Sequence, residues 1–344
     1  VLLNLMSGSL LRQANWDAFY QLPPTIDAQD GNRGYFLHEC YRQSLTALAE
    51  GMQGHIGCAV DGLLALVERI DLSFSDGLAK PNPVLLALPN ALLAHFHYLR
   101  GDASQATYCL QGCMDYIDMG GFLDCIAHAF VTSARLQLQQ GYPARARRTL
   151  EQMSSLAQVR EWPRLQSWAL MERVRICLHD GRVREAAGCL RELQQIRAMN
   201  LDDGGVDRWL FALLSELWLG LNGQPVRAQL ITDTQALLTE LRQRQYWLMV
   251  AELGLALGFY LASQQGLQSD GLLIEALAVV RDTGAVSILR DIGVPQACAT
   301  LTPYIPASWR AEVTVLFGHA DDADEDKAGC SALLALTVKE RQVM

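Results

Sequence analysis

Two stretches that decide the fold are Gln139-Gln140-Gly141-Tyr142-Pro143 and His179-Asp180-Gly181-Arg182. Each places a glycine between two segments with helical periodicity, where the left-handed conformation that favours glycine ends a helix. Successive turn glycines are 40, 40, 42 and 43 residues apart, and the series comprises Gly101, Gly141, Gly181, Gly223 and Gly266. Gly54 and Asn15 extend it towards the start of the chain, because asparagine also tolerates this conformation. A fixed interval near 40 residues predicts a solenoid.

Two helical patterns lie between successive turns. One pattern runs into the glycine, as in 122–140, and the other leaves it, as in 144–157, with Pro143 at a position that a first helical turn accepts. Alternation of β-branched residues is missing, so we expect no strand. The sequence therefore predicts an all-α, superhelical solenoid in which about six or seven helical hairpins stack with a period near 40 residues.

Small residues follow each turn, as Ala103 and Ala106 do after Gly101, and this pattern resembles the tetratricopeptide repeat. The unit is longer than the usual repeat and resembles the solenoid of MalT-like, ATP-dependent LuxR-family regulators. The stretch 276–293 is similar to the end of that sensor domain. The resemblance implies a signal-sensing domain in a bacterial activator that also has an ATP-binding module and a DNA-binding head.

The last nine residues, Leu336–Met344, resemble the opening of a LuxR-type helix-turn-helix domain. Thr337 and Glu340 have the spacing of a capping box, which starts a helix. The preceding residues 318–330 are acidic and poor in apolar side chains, which favours a flexible linker, although a surface loop of one continuous domain is the alternative. We therefore expect a helical-repeat domain at 1–317, a linker at 318–330, and the start of a truncated helix-turn-helix domain at 331–344.

Composition limits the partners of this chain. The 344 residues carry a formal net charge of −9 and are 50% hydrophobic. Because phosphate binding needs clustered lysine and arginine, we expect DNA contacts only through a C-terminal head. Nine cysteines without a CxxC pair favour a reduced cytoplasm, and no apolar run reaches the roughly 18 residues of a membrane span. We accordingly expect a cytoplasmic protein without membrane contact.

The sequence shows no motif for catalysis or for a cofactor. It contains neither a phosphate-binding GxxxxGK[ST] loop nor a GxSxG elbow. His95 and His97 point to different sides of a helix, and Cys109 and Cys113 share a face on which core packing is the simpler interpretation. We therefore expect no enzymatic activity, no catalytic residue, no metal and no cofactor in this fragment.

The candidate effector site lies on the first helix of two neighbouring hairpins, the helix that lines the concave surface in tetratricopeptide-like solenoids. Spacings of four, three and four residues place polar and aromatic side chains on one stripe of each helix. Such a mixed surface bordered by apolar units is typical of a small-molecule pocket. The predicted site consists of His128, Thr132 and Arg135 on one helix and of Trp168, Glu172 and Arg175 on the next.

Simpler interpretations of these residues remain open. Glu172 and Arg175 would then be an exposed pair, and Trp168 would cap the core between repeats. Trp209, Glu216 and Trp247 are further candidates.

Two functions follow as alternatives. The first is effector sensing in a LuxR-type activator, with a small molecule or a regulatory protein as partner and self-association in the full-length protein. The second is a protein-interaction scaffold without a small ligand or a role at DNA.

Overall fold

The protein is described from a computed structural model. It covers residues 2–22, 33–73, 83–199, 206–264, 269–292, 300–310 and 313. Throughout these ranges helices alternate with short turns and strands are absent, which confirms the predicted fold class. The helices are α1 (Leu2–Arg12), α2 (Trp16–Tyr20), α3 (Arg33–Met52), α4 (Ile56–Ser73), α5 (Pro83–Leu99), α6 (Ala103–Gln111), α7 (Ile117–Gly120), α8 (Leu123–Gln139), α9 (Pro143–Val159), α10 (Pro163–His179), α11 (Val183–Ala198), α12 (Asp207–Leu221), α13 (Leu230–Gln243), α14 (Trp247–Ser263), α15 (Asp270–Thr283), α16 (Ser287–Asp291) and the 3₁₀-helix Thr302–Tyr304.

One turn geometry recurs along the chain. After α8 the backbone N–H of Tyr142 donates to the carbonyl of Gln137 at 2.8 Å, and that of Gly141 donates to Leu138 at 3.0 Å. This pair of bonds is the Schellman motif, which requires a left-handed residue just past the helix. The same pair follows seven other helices, with Ala14, Gly54, Gly101, Glu161, Gly181, Gly223 and Gln245 at positive φ.

The predicted turn positions are largely confirmed, with one correction. Gly54, Gly101, Gly141, Gly181 and Gly223 all have positive φ. The first turn is different, because Ala14 rather than Asn15 takes the left-handed conformation, with φ 52°. Asn15 instead caps α2, and its side chain accepts from the N–H of Ala18 at 3.3 Å. Glycine 266 and residues 318–344, with the predicted linker and helix-turn-helix start, lie outside the described residues, so the predicted domain boundaries remain predictions.

The hairpins pack so that the first helix of each lies inside and the second lies outside. The inner helices α3, α5, α8, α10, α12 and α14 contact one another in this order. α14 is apolar on nearly all sides and most of its residues are buried, as expected for a helix with packed neighbours all round. The outer helices α9 and α11 carry a polar face towards solvent.

The last inner helix returns to the first, so the six inner helices form a closed ring. α14 contacts α3, and α16 contacts α5 and α14. Trp16 donates its indole N–H to the carbonyl of Arg244 at 2.9 Å, and the Tyr246 hydroxyl donates to the carbonyl of Leu11 at 3.0 Å. We call these contacts, between α1–α5 on one side and residues 244–291 on the other, the closing interface. The concave surface is therefore an interior wall and not an open groove.

Gly54 shows how closely the two ends approach. Its φ is +88°, and a Cβ atom on it would lie 2.7 Å from the Thr283 methyl group across the closing interface. A glycine at this turn thus serves both the backbone conformation and the close packing of the two ends.

Among the helices that the structure describes, none has the length and apolarity needed to span a membrane.

Candidate functional site

A cavity of about 90 Å³ lies inside the ring of inner helices. All six inner helices and α16 contribute to its wall. It is large enough for several water molecules, each of which needs about 10–15 Å³ by this measure. Its apolar wall consists of Leu48, Met52, Phe96, Leu99, Val131, Leu210, Phe211, Leu248, Met249 and Ile288, and its polar wall of His95, Asp124, His128, Arg135, Arg164, Trp168, Asp207 and Glu252.

A row of aromatic rings crosses one side of the cavity, one ring from each of four successive inner helices. His95 and His128 stack with their ring centroids 3.9 Å apart, Trp168 lies 5.4 Å from His128, and Phe211 lies 4.5 Å from Trp168. Burial lowers the pKa of His128 to about 4, and it lowers that of His95 well below its usual range, with His128 and Arg135 adding to the effect. Both imidazoles are therefore neutral near pH 7, and the row offers an uncharged π-surface.

Arg164 links three helices at the end of the cavity where the inner helices begin. Its Nη2 lies 2.5 Å from Asp124 Oδ1, and its Nε lies 2.5 Å from Asp207 Oδ2. Burial alone would raise the pKa of Asp124, but Arg164 outweighs burial and keeps it below its usual value. Asp124 and Asp207 lie in the first turns of α8 and α12, where the helix dipole favours negative charge. All three guanidinium nitrogens of Arg164 donate to carboxylates, since Nη1 also reaches Asp124 at 3.3 Å.

A second charged group, the Arg135 network, lies at the opposite end and comprises Arg135, Glu172, Arg175, Glu252 and Asp291. Arg135 Nη2 lies 2.5 Å from Glu172 Oε1, and its Nη1 lies 2.8 Å from Asp291 Oδ2. Arg175 Nη2 donates to Glu252 at 3.0 Å, and its Nε lies 3.3 Å from Glu172. Burial alone would lower the pKa of Arg135, but Glu172 and Asp291 raise it well above its usual value. The network joins α8, α10, α14 and α16 by charged pairs.

Tyr98 connects the Arg135 network to the closing interface. Its hydroxyl donates to Asp291 Oδ1 at 2.6 Å and accepts from Gln139 Nε2 at 2.7 Å. The hydroxyl of Ser287 donates to the backbone carbonyl of Tyr98 at 2.5 Å. The Asp291 carboxylate thus accepts hydrogen bonds from Arg135 of α8 and from Tyr98 of α5. One end of the cavity wall is therefore held by groups on both sides of the closing interface.

Some buried polar atoms at the cavity wall have no hydrogen-bond partner among the described residues. They are Nδ1 of His128 and Nε1 of Trp168. Both atoms are inaccessible to solvent, and His128 as a whole is only 8% exposed. A buried donor or acceptor without a partner costs about 1–3 kcal/mol, so a ligand that supplies a partner would recover part of this free energy.

The predicted site residues separate into three groups in the structure. His128, Arg135 and Trp168 line the cavity. Glu172 and Arg175 lie behind the wall in the Arg135 network, and both are buried. They do form an i, i+3 pair, but the alternative interpretation of an exposed pair is wrong. Thr132 is buried away from the cavity, and its hydroxyl has no partner within the described part of the chain. The predicted helices therefore do line the cavity, but only three of the six predicted side chains contribute to its wall.

The further candidates lie outside the cavity. Trp209 is 46% exposed, and the guanidinium of Arg197 lies 3.5 Å from the centroid of its ring. Glu216 is buried and pairs with Arg227 between α12 and α13. Trp247 packs against the core without contributing to the cavity wall.

Sequence reasoning missed most of the acidic residues of the site. Asp124, Asp207, Glu252 and Asp291 are each paired with an arginine at least 40 residues away along the chain. Arg164 was also missed, although its position in the first turn of an inner helix, one turn before Trp168, gave a usable signal. The carboxylates had no comparable signal, because their role depends on which helices the ring brings together.

The arrangement as a whole provides a small space inside the ring, with an aromatic wall and with Arg135 and Arg164 each paired to carboxylates. No group of three or more His, Cys, Asp or Glu side chains within the described ranges is placed to hold a metal ion. In comparisons with known proteins, no protein-family model matches the chain, and no curated sequence matches it.

Proposed function

We propose that the chain is the effector-sensing domain of a bacterial, cytoplasmic LuxR-type transcriptional activator, and that the cavity inside the ring binds the effector. The observation that carries the proposal is a cavity walled by all six inner helices, with His128 and Trp168 holding polar atoms that lack a partner. The resemblance of Leu336–Met344 to the start of a LuxR-type head supplies the connection to transcription.

The closing interface supports a mechanism for passing on the signal. Leu48 and Phe96 lie on helices near the start of the chain, whereas Met249 and Ile288 lie on helices near its end, and all four line the cavity. A molecule in the cavity therefore contacts both sides of the interface. In this proposal, effector binding favours the closed ring, and the change controls self-association and DNA binding by other modules of the same regulator.

A ligand screen tests the proposal. Metabolites are screened by thermal shift against the protein and against Val131→Phe, whose added ring occupies part of the cavity. A ligand present at 100 times its Kd stabilises the protein by about 2.7 kcal/mol. We expect at least one metabolite to stabilise the unchanged protein and to lose this effect in Val131→Phe. Val159→Phe is the matched control, because Val159 is 83% exposed and lies outside the cavity wall.

Two results would contradict the proposal. One is a screen in which no metabolite stabilises the protein. The other is a ligand that stabilises Val131→Phe as strongly as Val159→Phe, because its site would then lie elsewhere. Circular dichroism of both variants checks that each retains the helix content of the parent.

The alternative is a protein-interaction scaffold, and one surface favours it. Met119 is 70% exposed and Val159 is 83% exposed. The segments that carry them are linked, because Arg160 Nη2 donates to the carbonyl of Asp118 at 2.6 Å. In this alternative a partner protein binds the outer surface and the cavity has no ligand. Loss of partner binding in a Met119→Ser/Val159→Ser variant, together with an empty ligand screen, would favour the scaffold.

A further inference from the structure

The charges around the cavity decide which ligands it can accept. Arg135 and Arg164 are the cationic groups in its wall, and each of their six guanidinium nitrogens already donates to a carboxylate of Asp124, Glu172, Asp207 or Asp291. Each guanidinium keeps a second N–H on its two Nη atoms, but its charge is already compensated by two carboxylates. The wall also contains the carboxylate of Glu252. An incoming carboxylate would meet like charges in a poorly solvated space, which is unfavourable.

The size and shape of the cavity limit the ligand further. Its volume of about 90 Å³ is below the ~150 Å³ of an engineered apolar cavity that takes up benzene. Met52 and Met249 both line it, and methionine side chains adapt readily to the shape of a ligand. The opposite side is the aromatic row, which favours a flat partner that can stack or meet a ring edge. A single planar ring is therefore an upper limit for the ligand, and it fits only if Met52 and Met249 move to enlarge the cavity.

The unpartnered polar atoms indicate which functional group the ligand carries. The indole N–H of Trp168 is a donor only, so its missing partner is an acceptor. Nδ1 of His128 belongs to a neutral imidazole and can donate or accept, depending on the tautomer. Both atoms are shielded from solvent, and the rings that carry them form part of the cavity wall.

We propose that the cavity takes an uncharged, planar molecule of about one ring that carries a hydrogen-bond acceptor for Trp168, and that it rejects carboxylates. This inference rests on the proposed function, since it names the class of effector for the same site. It replaces the sequence-based hypothesis that Arg135 and Arg175 would bind a carboxylate or phosphate, because these guanidiniums serve the Arg135 network.

Three probes of the same shape separate the effect of charge from that of size. Benzamide is uncharged and has a carbonyl acceptor, benzoate is an anion, and benzamidine is a cation without a free acceptor. Binding to the whole chain is measured by isothermal calorimetry or by ligand-observed NMR. We expect benzamide to bind, and we expect benzoate and benzamidine each to bind at least about tenfold more weakly.

Two tryptophan variants test whether the indole N–H makes the contact. Trp168→Phe keeps an aromatic ring in the row and removes the donor, so we expect benzamide to bind about five- to tenfold more weakly, as for loss of one hydrogen bond. Trp209→Phe is the control, because Trp209 is 46% exposed and lies outside the cavity wall. We expect it to leave the affinity unchanged.

The outcomes distinguish this inference from the proposed function. Benzoate or benzamidine binding as tightly as benzamide overturns the inference, and so does equal binding of benzamide by the two tryptophan variants. If none of the three probes binds while the metabolite screen yields a ligand sensitive to Val131→Phe, the ligand class is wrong and the sensing function stands. If neither experiment yields a cavity ligand, both proposals fail.

Discussion

Replacing Arg135 tests whether the charged interior is as enclosed as the structure shows. Its guanidinium pairs with Glu172, which is 1% exposed, and with Asp291, which is 9% exposed. In Arg135→Met the side chain keeps much of its length but loses its charge, and both carboxylates lose their main partner. Removing one member of a buried ion pair typically costs 3–5 kcal/mol, because a buried charge is left uncompensated.

The structure places the expected cost near the lower end of that range. Glu172 still has Arg175 Nε at 3.3 Å, and Asp291 still accepts from the Tyr98 hydroxyl at 2.6 Å. We therefore expect Arg135→Met to lower the free energy of unfolding by about 3 kcal/mol. The control is Arg281→Met, which removes the same group from a pair with Asp282 in which both side chains are at least half exposed. Exposed pairs contribute about 0–1 kcal/mol.

Urea unfolding, followed by circular dichroism and by tryptophan fluorescence, measures both variants. The transition midpoints are compared at equal slope, so that a change in midpoint reports a change in stability. The double variant Arg135→Met/Glu172→Leu adds a second check, because removal of a stranded carboxylate should restore part of the stability that Arg135→Met loses. If Arg135→Met costs no more than Arg281→Met, water reaches the Arg135 network and the closed interior is wrong.

Three further predictions follow from the turns, the histidines and the cysteines. Gly141→Ala should destabilise the protein by about 1–2 kcal/mol because of its φ of +76°, since nothing obstructs an added Cβ there. Gly62→Ala lies within α4 and is also unobstructed, so it should instead stabilise the protein by about 0.5–1 kcal/mol. Thermal unfolding that ranks the two variants in the opposite order would refute the turn assignment. The pKa of His128 is about 4 in the folded protein against 6.5 for the free side chain, so the unfolded chain takes up this proton first as the pH falls. The contribution of His128 to stability should therefore be complete above pH 6.5 and decrease towards pH 4. In His128→Phe the loss of unfolding free energy between pH 7 and pH 5 should shrink by about 1–2 kcal/mol, and an unchanged loss would show that the imidazole is solvated. Cys58 is exposed, whereas Cys113 is buried and burial raises its pKa to about 12. Alkylation at pH 8 with peptide mapping should therefore modify Cys58 and spare Cys113 until the protein unfolds, and equal rates would contradict the burial of Cys113.

The sequence was sufficient for the fold class because each hairpin carries its own local signals. Glycine at a helix end and proline in a first turn act over a few residues, so their interval could be read directly. The turns after α9 and α13 lack the glycine, since Glu161 and Gln245 adopt the left-handed conformation there, although Pro163 does mark the start of α10. The structure thus shows that the starts of α8, α9, α10 and α11 are 20 residues apart, which is half of the predicted period.

The site was predicted only in part, for a physical reason. Helical spacing places His128 and Arg135 on one face of α8, and the structure brings both to the cavity. It does not reveal that α14 and α16 return to the start of the chain, and so it gave no indication of Glu252 or Asp291. Ring closure also places the expected groove surface inside the ring, and it pairs with carboxylates the arginines that appeared free to bind an anion.

The closing interface also limits how such a chain can change in length. In an open repeat array each unit touches only its neighbours, so a unit can be gained or lost without disturbing distant ones. Here an extra hairpin between α8 and α12 would carry Arg244 and Tyr246 away from Trp16 and Leu11, which they now contact. The number of hairpins is therefore fixed, because the first and last inner helices must meet at the closing interface. Insertions can be accommodated on the outer loops, but a whole repeat cannot be added or removed without opening the ring.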